Sequence, residues 1–179
     1  MRNTKGWVIL SLLIISLLIH FFKDLEKKSD GELVNGKVVK VLDGDTFDLL
    51  LDADQTTIRI RMEGIDAPES GMPFYRKATD YLKELTQNQT VMVSISNKDD
   101  YGRFISYSYL SDGRELSREM LRAGYAWHYK QYNKDKELAS LEKEAREANR
   151  GLWQDKNPYA PWDIRKIRRQ GISTKHLFE

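Results

Sequence analysis

Three short segments near the start of the folded region alternate between apolar and other residues. They are Val34–Leu42, Thr46–Leu51 and Thr56–Met62, and the turn Asp43-Gly44-Asp45 separates the first two. A period of two is typical of β-strands with one buried face, and Asp-Gly is a common hairpin turn. The pattern predicts a hairpin that continues into a third strand. Such an arrangement requires a sheet or a barrel around a shared core.

The following residues predict two more strands and several helices. Val91–Ser96 and Arg103–Leu110 read as strands on either side of a turn. Phe74–Leu85, Leu116–Ala123 and Lys136–Asn149 instead carry apolar residues at helical spacing. A helix within a series of five strands, followed by two more helices, predicts a β-rich α+β domain. We expect a five-stranded barrel of the OB type with about three helices.

A hydrophobic segment precedes this domain. Residues 7–22 (WVILSLLIISLLIHFF) contain no charged residue and follow Arg2 and Lys5. This composition predicts an N-terminal transmembrane or signal helix. The sequence after Leu18 contains no small-x-small cleavage site, which favours an uncleaved membrane anchor with the domain outside the cytoplasm. Secretion after signal cleavage is the alternative.

Five regions follow from these patterns. A short tail at 1–6 leads into the hydrophobic segment at 7–22 and a polar tether at 23–33. The barrel domain occupies 34–153, and a basic tail covers 154–179. The chain has no cysteine, which excludes disulfides and a lipoprotein anchor. Nothing in the sequence indicates a protein partner, and we expect a monomeric catalytic domain.

The charge distribution limits how the domain can bind nucleic acid. Residues 34–153 carry 18 Lys and Arg against 20 Asp and Glu, so the domain lacks the excess of basic residues that grips a long stretch of nucleic acid. Any contact is expected at a local site. The basic run Arg165–Arg169 reads either as a solvated or partly helical tail or as an auxiliary contact to nucleic acid or anionic lipid.

Carboxylates at predicted strand ends suggest a metal site. Asp45 and Asp66 lie at the ends of neighbouring hairpins of the predicted barrel, where two side chains can meet. A hard cation such as Ca²⁺ binds several oxygens at about 2.3–2.6 Å, and the backbone carbonyl of Ala67 supplies another. Asp45 read alone is a turn carboxylate. The pair makes metal binding the stronger hypothesis.

Three further charged residues fit phosphoryl transfer. Glu69 follows Pro68 and is placed to deprotonate a water next to the metal as a general base. Arg61 and Arg103 are predicted to neutralise the charge that develops on phosphate oxygens. Tyr129 and Tyr132 are candidates for base stacking, and edge packing of the barrel is an equal alternative.

Four short motifs follow one another along the chain. They are VLDGDT (41–46), RMEGIDAPE (61–69), DYGR (100–103) and NRGLW (149–153). Together and in this order, they resemble the staphylococcal-type nuclease, or thermonuclease, family. The resemblance extends over Val34–Trp153 and implies an OB-fold barrel with Ca²⁺-dependent hydrolysis of DNA and RNA to 3′-phosphates. It places catalytic roles on Arg61, Glu69 and Arg103. It places one Ca²⁺ on Asp45, Asp66 and the carbonyl of Ala67.

Two other functions remain open at this stage. The first is a catalytically silent OB-fold module that binds nucleic acid or protein while tethered to the membrane. Such a module would typically lack part of the charged set, whereas this chain retains all five side chains. The second is a surface scaffold that uses the basic tail, supported by Arg165–Arg169 alone.

Overall fold

A computed structural model describes residues 31–178 as a barrel with helices packed on its outside. Seven strands and four α-helices lie within this range. The strands are β1 Glu32–Val41, β2 Thr46–Leu51, β3 Thr57–Met62, β4 Ile65–Asp66, β5 Thr90–Lys98, β6 Phe104–Leu110 and β7 Trp127–His128. The helices are α1 Tyr75–Thr86, α2 Leu116–Arg122, α3 Lys136–Glu147 and α4 Pro161–Arg169.

Five of the strands close into a barrel in the order β1-β2-β3-β6-β5, and β5 pairs again with β1. All neighbouring pairs are antiparallel except β3 and β6, which are parallel. The predicted five-stranded OB-type barrel is therefore confirmed. The remaining strands, β4 and β7, form a separate two-stranded sheet that contains Asp66.

The alternation along the strands separates the barrel interior from its surface. Phe47 and Ile60 are cross-strand partners and are both fully buried in the core. One position further along, Asp48 and Arg59 face each other on the outside and form an ion pair at 2.7 Å. Burying a large apolar side chain contributes about 1.5–3 kcal/mol, so the interior positions fix the strand register.

The helices cover the barrel, and α4 agrees with a partly helical tail, which the sequence patterns left only as one alternative. The three expected helices correspond to α1, α2 and α3, with ends shifted by one or two residues. Residues 161–169 of the predicted basic tail form α4, and its Ile164 is fully buried. Pro161 at the helix start and Asp163 in the first turn are ordinary helix-initiating residues.

No helix within residues 31–178 is long and apolar enough to cross a membrane. The longest helices there, α1 and α3, have 12 residues, whereas about 20 are needed. Both are amphipathic, with one face on the core and charged residues on the other. The hydrophobic segment at 7–22 lies outside the described residues. Within the described residues, the lack of a spanning helix contradicts the predicted membrane-anchored localisation.

Candidate active site at one end of the barrel

Three predicted site residues meet at one end of the barrel. Strand pairing places Thr46 opposite Arg61, so the preceding Asp45 lies beside the arginine. The Nε atom of Arg61 is 3.1 Å from Asp45 Oδ1, and its Nη2 atom is 3.1 Å from Asp66 Oδ1. One guanidinium group therefore joins the two carboxylates among the three predicted metal ligands.

The turn that carries Asp45 is held by close packing and by hydrogen bonds. A Cβ atom on Gly44 would be 2.8 Å from the Cβ atoms of both Ala67 and Ala78, so only glycine allows this approach. The Asp45 backbone N–H donates to Asp43 Oδ1 at 3.0 Å. Asp45 Oδ2 accepts from the backbone N–H of Ala67 at 2.6 Å. Asp43 therefore stabilises the turn.

Arg61 is itself fixed by the backbone. Its Nη1 atom donates to the carbonyl of Met62 at 2.6 Å, and its Nη2 atom donates to the carbonyl of Ile65 at 2.7 Å. The residue is 9% exposed. Two carbonyls and two carboxylates therefore hold this guanidinium in one orientation.

The carboxylates of this cluster share a buried, negatively charged environment. Burial raises the pKa of Asp66 to about 6, with Asp45 adding to the rise, although hydrogen bonding by Arg165 and the charge of Arg61 lower it. Burial and the neighbouring charge of Asp45 likewise raise the pKa of Asp43 to about 7. A cation at this position would relieve the repulsion between the carboxylates.

The oxygen atoms at this site fit a hard cation that keeps part of its hydration shell. Asp45, Asp66 and the carbonyl of Ala67 offer oxygen ligands of the kind that Ca²⁺ prefers. Within residues 31–178, no group of three or more His, Cys, Asp or Glu side chains is placed to hold a metal ion. Two carboxylates and a carbonyl would therefore leave several positions for water and for phosphate oxygens.

Glu69 lies at the edge of this cluster, where it contacts an arginine that was not predicted as a site residue. Arg165, from helix α4, donates through Nη1 to Glu69 Oε1 at 2.7 Å. The same guanidinium donates to Asp66 through both nitrogens, with Nη2 to Oδ2 at 2.7 Å and Nη1 to Oδ1 at 3.0 Å. A second arginine of α4, Arg168, is 3.6 Å from Glu69 Oε2.

Arg103 approaches the strand that follows the turn and is more accessible than Arg61. Its Nε atom donates to Asp99 Oδ2 at 2.8 Å, and its Nη1 atom approaches Thr46 Oγ1 at 3.5 Å. Its side chain is 28% exposed, and its guanidinium lies 5.6 Å from the ring of the highly exposed Tyr101. Arg103 thus reaches the turn of Asp45 while keeping part of its surface open.

The two candidate tyrosines occupy different environments. The ring of Tyr129 stacks on Trp162 of α4, with centroids 5.2 Å apart and an interplanar angle of 1°. Burial and the negative charge of Asp66 raise the pKa of Tyr129, although hydrogen bonding with Arg165 lowers it. Tyr132 packs edge-on against Tyr129 and is 71% exposed.

Sequence reasoning missed Arg165, Arg168 and Trp162. Helix-forming signals in the tail were visible, since Ile164 and Ile167 are three residues apart and basic residues fill the last turn. Nothing local indicates where the helix packs, because Arg165 is separated from Asp66 by 99 residues. The position of α4 depends on contacts that only the folded chain creates.

Comparison with known proteins supports the resemblance to the staphylococcal-type nucleases. The family model described as staphylococcal nuclease homologue matches residues 59–155. The chain is 43% identical over 129 residues to an uncharacterized endonuclease of Escherichia coli O157:H7. The aligned region covers 72% of this chain and 83% of the relative.

Two further relatives extend the comparison. A micrococcal nuclease of Shigella flexneri is 39% identical over 141 residues, covering 73% of this chain and 80% of its own length. A probable staphylococcal-like nuclease, CAN1, of Oryza sativa subsp. japonica is 41% identical over 115 residues, with 64% of this chain and 34% of the relative covered. On these matches, the chain belongs to the staphylococcal nuclease family of phosphodiester-hydrolysing enzymes.

Proposed function

We propose that this nuclease hydrolyses DNA, RNA or both with one bound Ca²⁺ and leaves 3′-phosphates. The observation that carries the proposal is the joining of Asp45 and Asp66 by Arg61 at one end of the barrel. Glu69 is linked to Asp66 through Arg165, and Arg103 approaches Thr46, the residue after Asp45. The arrangement supplies oxygen ligands, a base and two cationic side chains within one small region.

Asp45, Asp66 and the carbonyl of Ala67 would hold the cation. When bound, it polarises a phosphoryl oxygen and offsets the negative charge that builds up during displacement. The hydrogen bond from the Ala67 backbone N–H to Asp45 fixes the two loops relative to each other. The protein therefore contributes a pair of carboxylates whose separation is set before the substrate arrives.

Glu69 is the proposed general base. Its side chain is 31% exposed, so water reaches it, whereas the side chain of Asp66 is 1% exposed. Glu69 accepts a proton from the attacking water while the new P–O bond forms. The bond between phosphorus and the 5′ oxygen breaks, and the phosphate stays on the 3′ side.

The two arginines would bind the phosphate as its charge increases. Arg61 is held by backbone carbonyls and needs no reordering, which lowers the reorganisation cost of the reaction. Arg103 approaches from the solvent side, with its Nε atom oriented by Asp99. Because residues 34–153 carry nearly balanced charge, these local cations also contribute much of the substrate capture.

Tyr132 and Tyr129 are the proposed base-stacking residues, with Tyr132 favoured. Tyr132 presents an exposed ring, on which a base can stack. One face of Tyr129 is already covered by Trp162. We expect Tyr132→Ala to raise KM more than it lowers kcat.

The full chain should be incubated with single-stranded DNA and with RNA, first with Ca²⁺ and then with an excess of chelator. We expect cleavage that stops on chelation, with products that a polymerase extends only after phosphatase treatment. Asp66→Asn is the site control and should abolish cleavage. Cleavage that persists in chelator would refute the metal requirement. Binding without products would favour the binding-module hypothesis.

A further inference from the structure

Arg165 makes an unusually complete contact with the proposed cation site. Its guanidinium binds both oxygens of Asp66 and one oxygen of Glu69, at 2.7–3.0 Å. Planar pairing of this kind satisfies two carboxylate oxygens at once. It adds to Arg61, which already donates to Asp66 Oδ1 from the barrel side. Asp66 is therefore bound by cationic groups from two directions.

The same contacts place Arg165 between Asp66 and solvent. The side chain of Asp66 is 1% exposed, whereas that of Arg165 is 33% exposed. A cation arriving from solvent needs oxygens of Asp66 that Arg165 holds, and it also meets the repulsion of a positive charge. Binding at Asp66 therefore requires the Arg165 side chain to leave.

The helix does not depend on Arg165 for its position. Ile164 is fully buried, and Trp162 stacks on Tyr129. Arg168 adds a hydrogen bond from Nη2 to the carbonyl of Ser70 at 3.1 Å. With these contacts in place, the long Arg165 side chain can move while α4 stays on the barrel.

We propose that Arg165, which is held in place by Glu69, competes with the cation for Asp66, so that helix α4 sets the metal affinity of the site. The inference rests on the proposed cation site. Arg165 is a positioning residue here, because it acts through the two carboxylates. Removing its guanidinium should strengthen cation binding, whereas removing a metal-site carboxylate should weaken it.

The test is a calorimetric titration of the metal-free full chain with Ca²⁺ in the absence of nucleic acid. Four proteins are compared: wild type, Arg165→Gln, Arg169→Gln and Asp66→Asn. Arg169 lies on the same helix and is exposed, so its substitution removes the same charge without touching the carboxylates. We expect Arg165→Gln to bind Ca²⁺ about tenfold more tightly than wild type, and Arg169→Gln to match wild type.

Arg165→Lys serves as a second variant, because it retains the charge without the planar pair of donors. We expect its affinity to fall between those of wild type and Arg165→Gln, and a folded lysine variant keeps the test valid if the glutamine variant does not fold. Equal affinities for Arg165→Gln and Arg169→Gln, or weaker binding by Arg165→Gln, would overturn the proposal. Undiminished binding by Asp66→Asn would instead refute the cation site itself.

Discussion

Two arginines bind Asp66, and they differ in what else holds them. Arg61 comes from the barrel, is 9% exposed and also donates to two backbone carbonyls. Arg165 comes from the outer helix α4, has a side chain that is 33% exposed and pairs with Asp66 and Glu69. The first contact is part of the framework of the barrel end. The second joins helix α4 to the end of the barrel and lies at the surface.

On this difference, we expect Arg61 to contribute mainly to the stability of the site and Arg165 mainly to its regulation. Removing Arg61 leaves two buried carboxylates without their shared counter-ion, which is costly for folding. Removing Arg165 exposes Asp66 to solvent and to other cations, so we expect a smaller loss in the free energy of unfolding. The following predictions test this division, beginning with the framework.

The largest effect is expected for Arg61→Ala. Loss of a buried ion-pair partner should lower the free energy of unfolding by about 3 kcal/mol or more. Cleavage should also fall below detection, because the phosphate loses a fixed cation. Urea denaturation followed by circular dichroism measures the first effect, and a cleavage assay measures the second.

Arg59→Ala is the matched control on the same strand. Its side chain is 46% exposed and pairs with Asp48 on the outside of the barrel, so we expect a loss of about 1 kcal/mol or less. Similar losses for Arg59→Ala and Arg61→Ala would show that the barrel-end cluster is not a structural framework.

Arg103→Ala should affect catalysis without much effect on folding. Its guanidinium is partly exposed and pairs with Asp99 four residues away, so the stability change should stay within about 1 kcal/mol. We expect kcat/KM to fall by about 100-fold, as for the loss of one donor to a developing negative charge. Arg114→Ala, which removes a similar pair with Asp112, should leave kcat/KM unchanged.

Ile164→Ala tests whether α4 is a firmly packed element. Ile164 is fully buried, so truncation should cost about 2 kcal/mol or more in the free energy of unfolding. Ile172→Ala, at a position that is 49% exposed, should change it little. Equal, small effects of the two substitutions would mean that α4 is loosely attached, and the Arg165 contact would lose its structural support.

The smallest predicted effect concerns the calcium dependence of cleavage. Arg165→Gln should reduce the Ca²⁺ concentration for half-maximal cleavage by about tenfold, because a competitor for Asp66 is removed. Arg169→Gln should leave this midpoint unchanged. An increased midpoint for Arg165→Gln would mean that the arginine helps to assemble the site.

The barrel could be predicted from sequence because its information is local. Alternation places Phe47 and Ile60 inside, and the glycine of the Asp43–Asp45 turn marks the hairpin. The meeting of Asp45 with Arg61 follows from pairing between consecutive strands. These features need no knowledge of distant parts of the chain.

The covering of the site by α4 could not be predicted in the same way. Pro161 and the residues after it favour a helix, but the location of this helix depends on where Ile164 is buried. Trp162 also covers a face of Tyr129, for which the sequence left base stacking and edge packing as equal alternatives. Both contacts cross large sequence separations, where periodicity carries no information.

A crystal structure of the full chain with bound Ca²⁺ would test the division between the two arginines most directly. We expect the ion within about 2.3–2.6 Å of an Asp66 oxygen. Arg61 should keep its hydrogen bonds to the carbonyls of Met62 and Ile65, whereas Arg165 should have left Asp66. An ion bound at Asp45 and Asp66 while Arg165 still holds both Asp66 oxygens would contradict the account.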